Sequence, residues 1–284
     1  MSSWKRVSAA ASAAPTVPRT RITNGDGPFV SVILRGGLGN RCFQILCGLG
    51  YAERHGKRFV LSEAHILSNA HTKKDTTQNI LFALFPNVKV YKGPAINWTV
   101  LKEPEFGDDC VLKNIGGSVL LDGYFQNEAY FPTGARDKFV VPKPEKTVFD
   151  ISGLDFSKIC FVHFRYGDYL SSDYAFDMTK YYKDCVELAG DVRFLVFSDQ
   201  PHLINLEKHG LEPGRSVIVP NTVGPWETLY LMSLCSGAIC PNSTFSWFGA
   251  FAMRSSGQVF MPNKWHKVLD YVPVASWAKF MPID

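Results

Sequence analysis

No stretch of the 284 residues is apolar for the roughly 20 positions that a membrane-spanning helix needs. No two aspartates stand two positions apart, so an Asp-x-Asp metal clamp is missing. There is no G-x-x-x-x-G-K-[ST] loop, which disfavours ATP or GTP hydrolysis. The seven cysteines, at 42, 47, 110, 160, 185, 235 and 240, form no Cys-x-x-Cys pair, so their spacing does not suit zinc. They lie mostly inside apolar runs and read as buried, reduced thiols of a reducing compartment. A polybasic arm is also lacking. Lys and Arg (30) barely exceed Asp and Glu (26), leaving a net charge of +4 spread along the chain. That argues against a nucleic-acid partner and leaves room for a local anion site.

With 46% hydrophobic and 20% charged residues the composition is that of a globular protein, and the length suits one large or two medium α/β domains. Residues 1–28, rich in Ala, Ser, Thr and Pro, read as a disordered tail or linker. Their apolar content is too weak for a secretory signal. With no signal peptide or anchor visible, a cytoplasmic protein or a soluble domain of a longer one is expected. Ordered sequence begins with the β-branched run Phe29–Leu34. A Gly-rich turn, 36–40, leads into a helix over 41–55, and a strand follows at 58–61. The middle is less regular, with one strand expected at 118–121. A polar stretch at 143–146 suggests a boundary, dividing the chain into an N-terminal domain, 29–145, and a C-terminal one, 146–284. The second half alternates strands (159–164, 194–197, 217–219, 238–240, 259–261) with helices (178–189, 203–209, 225–235, 245–253). Such alternation implies parallel sheets.

Four segments carry candidate chemistry. In Gly36-Gly-Leu-Gly-Asn40 consecutive glycines let backbone amides approach an anion at a helix start, although a tight strand-to-helix turn reads equally from the same residues. At the end of a strand, where parallel sheets bind ligands, stands His163-Phe-Arg165-Tyr-Gly-Asp168-Tyr. Alternation places His163 and Arg165 on one face, and Arg can grip a phosphate with two donors. Asp168 either orients that Arg or holds the turn, and a purely structural Arg–Asp pair stays open. Ser198 and Asp199, also at a strand end, are equally explicable as helix caps. In Pro241-Asn-Ser-Thr-Phe-Ser-Trp-Phe248 an amide and three hydroxyls gather at a helix start, forming an anion cradle or simple capping.

Taken together and in order, GGLGNRCFQ from Gly36, GYFQ from Gly123, HFRYGDY from His163, FSDQ from Phe197, ETLYLMSLC from Glu227 and NSTFSWFG from Asn242 resemble the motifs of the inverting α1,2-fucosyltransferases. The resemblance runs from residue 31 to about 265. It implies an α/β fold of two Rossmann-like domains in the GT-B manner, an N-terminal half facing a sugar acceptor and a C-terminal half holding GDP-fucose. It also implies direct displacement with inversion and no metal. Arg165 would hold the β-phosphate. His163, Asp168, Ser198, Asp199, Asn242, Ser243, Thr244 and Phe245 would lie on the donor side. Gly37, Leu38, Gly39 and Asn40 would close over the donor, and Tyr124 and Gln126 would face the acceptor. Four positions depart from the family pattern: Arg41 for Gln, Tyr166 for a second Arg, Thr228 for Asp and Phe248 for Trp. With Thr228 unable to read the guanine edge, Glu227 or Asp199 is left for that task. For the catalytic base the order is Asp173, eight residues after Arg165, then Asp177, then no dedicated base. A different nucleotide sugar, or glycan binding without catalysis, remain alternatives.

Overall fold

The computed structural model describes residues 27–66, 77–104 and 112–283. Expectations for the tail at 1–26 and for Cys110 fall outside them. The chain folds as two compact units, each an α/β layer structure on a wholly parallel sheet.

In the N-terminal unit the order is β1 (Phe29–Val32), α1 (Leu38–Arg54), β2 (Arg58–Ser62), α2 (Glu63–Ile66), α3 (Thr77–Leu84), β3 (Lys89–Tyr91), β4 (Trp98–Lys102), β5 (Ser118–Asp122) and α4 (Ala135–Lys138). The sheet runs β3-β2-β1-β5-β4. Strand β1 is central because all four of its residues, Phe-Val-Ser-Val, are buried. Helix α1 buries 13 of its 17 residues, so it is a core helix rather than an amphipathic surface one.

In the C-terminal unit β6 (Ile159–Phe164) leads to α5 (Thr179–Ala189), β7 (Arg193–Ser198), β8 (Ser216–Ile218), α6 (Pro225–Leu234), β9 (Gly237–Ile239), α7 (Thr244–Phe251), β10 (Val259–Pro262) and β11 (Lys279–Met281). The order is β11-β10-β9-β6-β7-β8. All six residues of β6 are buried. Its even positions, Cys160, Val162 and Phe164, pack with Tyr181, Tyr182 and Cys185 of α5. Alternation therefore turns Phe161, His163 and Arg165 to the opposite face.

These are the two Rossmann-like units expected, with local corrections. The helix read at 203–209 is two separate 3-10 turns, Pro201–Leu203 and Glu207–His209, split by Ile204 in an extended conformation. Strands β3, β4 and β11 and helix α3 were not anticipated. The chain passes from one unit to the other at Val140/Val141 rather than at 145/146. Tyr271–Ser276, assigned by sequence to the C-terminal domain, belongs to the N-terminal unit. Val274 bridges to Asn127, and the Ser276 N–H donates to Glu128 Oε1 at 2.7 Å. Packing partners set the boundary, not the polar stretch: the segment after Pro142 is already held by Trp226, whose indole N–H donates to the Pro142 carbonyl (2.8 Å). The six described cysteines are buried and unpaired. Burial pushes their thiols up, Cys185 to about 12, which leaves them unreactive. Among the described residues no helix is long and apolar enough to cross a membrane.

Candidate active site

In an open parallel sheet, ligands bind beyond the carboxyl ends of the strands where the strand order reverses. In the C-terminal unit that point lies between β6 and β9, and it is where His163–Asp168 and Asn242–Phe245 emerge. The Arg165 guanidinium there is held on two sides. Its Nη1 pairs with Asp199 Oδ2 at 2.9 Å and its Nη2 with Asp168 Oδ1 at 2.5 Å. It also lies over the Tyr169 ring, 5.3 Å from the centroid. The Tyr169 hydroxyl lies close to Ser243. Ser243 is the N-cap of α7, but its side chain does not cap the helix, so the first-turn amides remain open to an anion. The sequence thus brings an Arg head and a helix start together through one tyrosine.

The Arg165–Asp168 pair, read as one option from sequence, is present. Asp168 is exposed, so this contact is worth little and an incoming phosphate can replace it. Asp199 does not cap the 3-10 turn that follows it, whose N-cap is Gln200 with no side-chain bond. Instead it accepts the Tyr166 N–H at 3.0 Å while pairing with Arg165, fixing both backbone and head group. Ser198 makes a local turn contact, its Oγ accepting the Gln200 N–H (2.9 Å). His163 is buried. Its ring lies 5.9 Å from that of Phe245, and its Nδ1 has no partner. Burial, with Arg165 nearby, drives its pKa down to about 3, so the imidazole is neutral at ordinary pH.

Two expected donor residues have structural tasks. Glu227 is buried, and its carboxylate accepts the N–H groups of Val148 (2.9 Å) and Phe149 (2.8 Å). Asn242 Nδ2 donates to the carbonyls of Tyr174 and Trp265, both at 2.9 Å, tying two loops together. Thr244 and Phe245 are half-buried in the first turn of α7. Of the base candidates, Asp177 accepts the Thr179 N–H at 3.0 Å, and hydrogen bonds from Thr179 hold its carboxyl below the usual range, which weakens it as a base. The Asp173 side chain is exposed and makes no hydrogen bond or ion pair among the described residues, while its carbonyl accepts the Lys267 N–H (2.9 Å).

The N-terminal unit reverses its strand order between β1 and β5. Gly37 is the N-cap of α1 and offers no capping side chain, so Leu38, Gly39 and Asn40 open the helix. The Asn40 Oδ1 accepts from Gln126 Nε2 at 2.9 Å, which joins the GGLGN and GYFQ motifs. Gln44 ties the same two loops, its Oε1 accepting the Arg35 N–H (2.9 Å) and its Nε2 donating to the Gly123 carbonyl (3.1 Å). Arg35 pairs with Asp122. Tyr124 is half-buried. Gln44, Arg35, Asp122 and Glu103 were not singled out in the sequence, since each acquires its partner only across strands. Glu103 had one available signal: it follows the β-prone run Trp98-Thr-Val-Leu, which is β4. Among the described residues no three His, Cys, Asp or Glu side chains gather as a metal site.

No protein-family model matches the chain. A curated relative, the alpha-1,2-colitosyltransferase of Escherichia coli, is 28% identical in an alignment of 268 positions that covers 82% of this chain and 90% of that protein. Among solved structures, the fucosyltransferase NodZ of Bradyrhizobium aligns at 15% identity over 80% of this chain and 94% of its own, with a TM-score of 0.46. The E. coli ADP-heptose heptosyltransferase II aligns at 10% identity over 89% and 90%, with a TM-score of 0.44. The chain is similar in sequence, along most of its length, to a sugar-transferring enzyme.

Proposed function

We propose that the chain is an inverting glycosyltransferase that moves L-fucose from GDP-fucose to a hydroxyl of a sugar acceptor, forming an α1,2 linkage without a metal. Arg165, held by Asp199 and lying over Tyr169 beside the uncapped start of α7 at the β6/β9 reversal, carries the reading. That arrangement offers a forked cation and the open start of α7 to a diphosphate, the two devices by which protein groups alone neutralise a leaving nucleotide. Negative charge grows on the β-phosphate as the sugar–oxygen bond breaks, and Arg165 stabilises that charge more than the ground state. The donor sits on the C-terminal unit and the acceptor on the N-terminal one, in the GT-B manner. Asp173, whose carboxylate has no other task, takes the acceptor's proton; Asp177 is the second choice, and the departing phosphate the third.

A second donor is favoured by one observation, the 28% identity to a colitosyltransferase. Colitose is fucose without its 3-hydroxyl, so the two readings differ by one hydrogen-bonding group, which a site built to bind that hydroxyl would discriminate strongly. The test is a panel of nucleotide sugars, GDP-fucose and GDP-colitose among them, incubated with simple galactosides in EDTA and scored for product linkage and free nucleotide. Transfer only after magnesium or manganese is restored would sink the metal-free reading. Turnover of GDP-colitose alone would replace the donor. For the base, Asp173→Asn should abolish the acidic limb of the rate–pH profile at saturating donor, while Asp177→Asn should leave it in place.

A further inference from the structure

At the end of β5 the chain makes an unusual turn. Phe125 has φ +52°, the sole non-glycine residue with positive φ among the described residues, and it is wholly buried. A bulky side chain in the left-handed region is unfavourable and persists only where its surroundings enforce it. The enforcing group is the Glu103 carboxylate, which leaves the end of the adjacent strand β4. One of its oxygens accepts the Tyr124 N–H at 2.7 Å and the other accepts the Phe125 N–H at 2.9 Å. Residue 123 must be glycine for this approach, since a Cβ there would overlap the Glu103 side chain.

The turn delivers Gln126. This side chain is buried, and its amide spends one polar atom on Asn40 (2.9 Å) while the other has no partner. Whichever way the amide is turned, one hydrogen-bonding atom is left over at the strand-order reversal of this unit. A buried amide atom without a partner is costly, and a sugar hydroxyl can serve it as either donor or acceptor. The corresponding carboxylate clamp of the other unit, Asp199, fixes an arginine.

We propose that Glu103 is a positioning residue for the acceptor: it locks the Gly123–Gln126 turn so that the spare amide atom of Gln126 receives a neutral hydroxyl of the acceptor sugar. The inference rests on the glycosyltransferase reading and adds to it a residue outside the family motifs. Glu103→Gln keeps the side-chain shape but loses the charge and one acceptor oxygen.

Three readouts in the full chain test this: acceptor KM at saturating donor, GDP affinity by calorimetry, and hydrogen exchange of the peptide spanning Tyr124 and Phe125. Glu103→Gln is expected to raise acceptor KM about tenfold, to leave kcat and GDP affinity within about twofold, and to speed exchange at those two amides. Glu103→Ala should do the same more strongly; if it fails to fold, Glu103→Gln carries the test. Unchanged acceptor KM, or GDP affinity falling as far as KM rises, overturns the proposal, as does unchanged exchange. A wild-type chain that transfers no sugar would instead overturn the functional reading, and the exchange measurement would still decide whether the clamp exists.

Discussion

The two units solve one problem twice and with different chemistry. In each, the loop leaving a strand at the reversal point passes through a glycine and is clamped by a carboxylate from the end of the next parallel strand. Asp199 at the end of β7 takes the Tyr166 N–H beside Gly167, and Glu103 after β4 takes the Tyr124 and Phe125 N–H groups beside Gly123. At both glycines an added Cβ would meet the clamping side chain. The difference lies in what the clamp presents. Asp199 also holds a guanidinium, and the neighbouring helix start, α7, is uncapped, so that end suits a dianion. Glu103 gives its carboxylate to the Tyr124 and Phe125 N–H groups, and the turn it holds presents the amide of Gln126, which suits a neutral hydroxyl. Two similar carboxylate-held turns thus present different head groups, a guanidinium in one unit and an amide in the other.

The sharpest way to break this contrast is Arg165→Ala. Transfer should fall on the order of a few hundredfold, about 3–4 kcal/mol, with the fold intact by thermal melting. Arg165→Lys should rescue poorly, because an ammonium cannot fork two oxygens. Activity within tenfold of wild type would remove the charged half of the comparison.

Next comes Glu227→Ala, which separates structure from recognition inside the C-terminal unit. Stripping two backbone N–H groups of a buried carboxylate should cost about 2–3 kcal/mol of stability, several degrees of Tm, without changing the preference among nucleotides. Lost discrimination between GDP and ADP would return Glu227 to the donor site.

A smaller effect is expected in the N-terminal unit. Gln126→Ala should raise acceptor KM about tenfold, near 1.4 kcal/mol, and leave GDP affinity alone. An equal loss in both would mean that the two ends do not divide the substrates.

At His163 the effect is on the slope of stability with pH rather than on transfer. Its folded pKa, about 3, lies below the unfolded value of about 6.5, so between those limits the unfolded chain binds more protons and stability falls as the solution is acidified. His163→Gln removes this contribution. The loss of stability between pH 6 and 4 should become shallower, by at most about 1.4 kcal/mol per pH unit. Identical slopes, measured by denaturant unfolding, would show that the ring is not held neutral.

Sequence alone determined the alternation of strands and helices, because β-branched buried runs such as Phe29–Val32 and Ile159–Phe164 and the Gly- and Ser-bearing turns after strands are local signals. It also placed His163, Arg165 and Asn242–Phe245 at strand ends, since those positions follow from that alternation. It did not determine what each polar side chain does there. Glu227 and Asp199 are both acids near strand ends or helix starts. One is consumed by backbone amides 78 and 79 residues away, and the other meets an arginine 34 positions earlier. Glu103 finds its partners across a strand pair, and Val274 bridges to Asn127, 147 positions earlier in the same unit. A carboxylate's role is fixed by which donors surround it, and those donors are brought together by the order of strands in the sheet, a long-range arrangement that no local pattern of residues encodes.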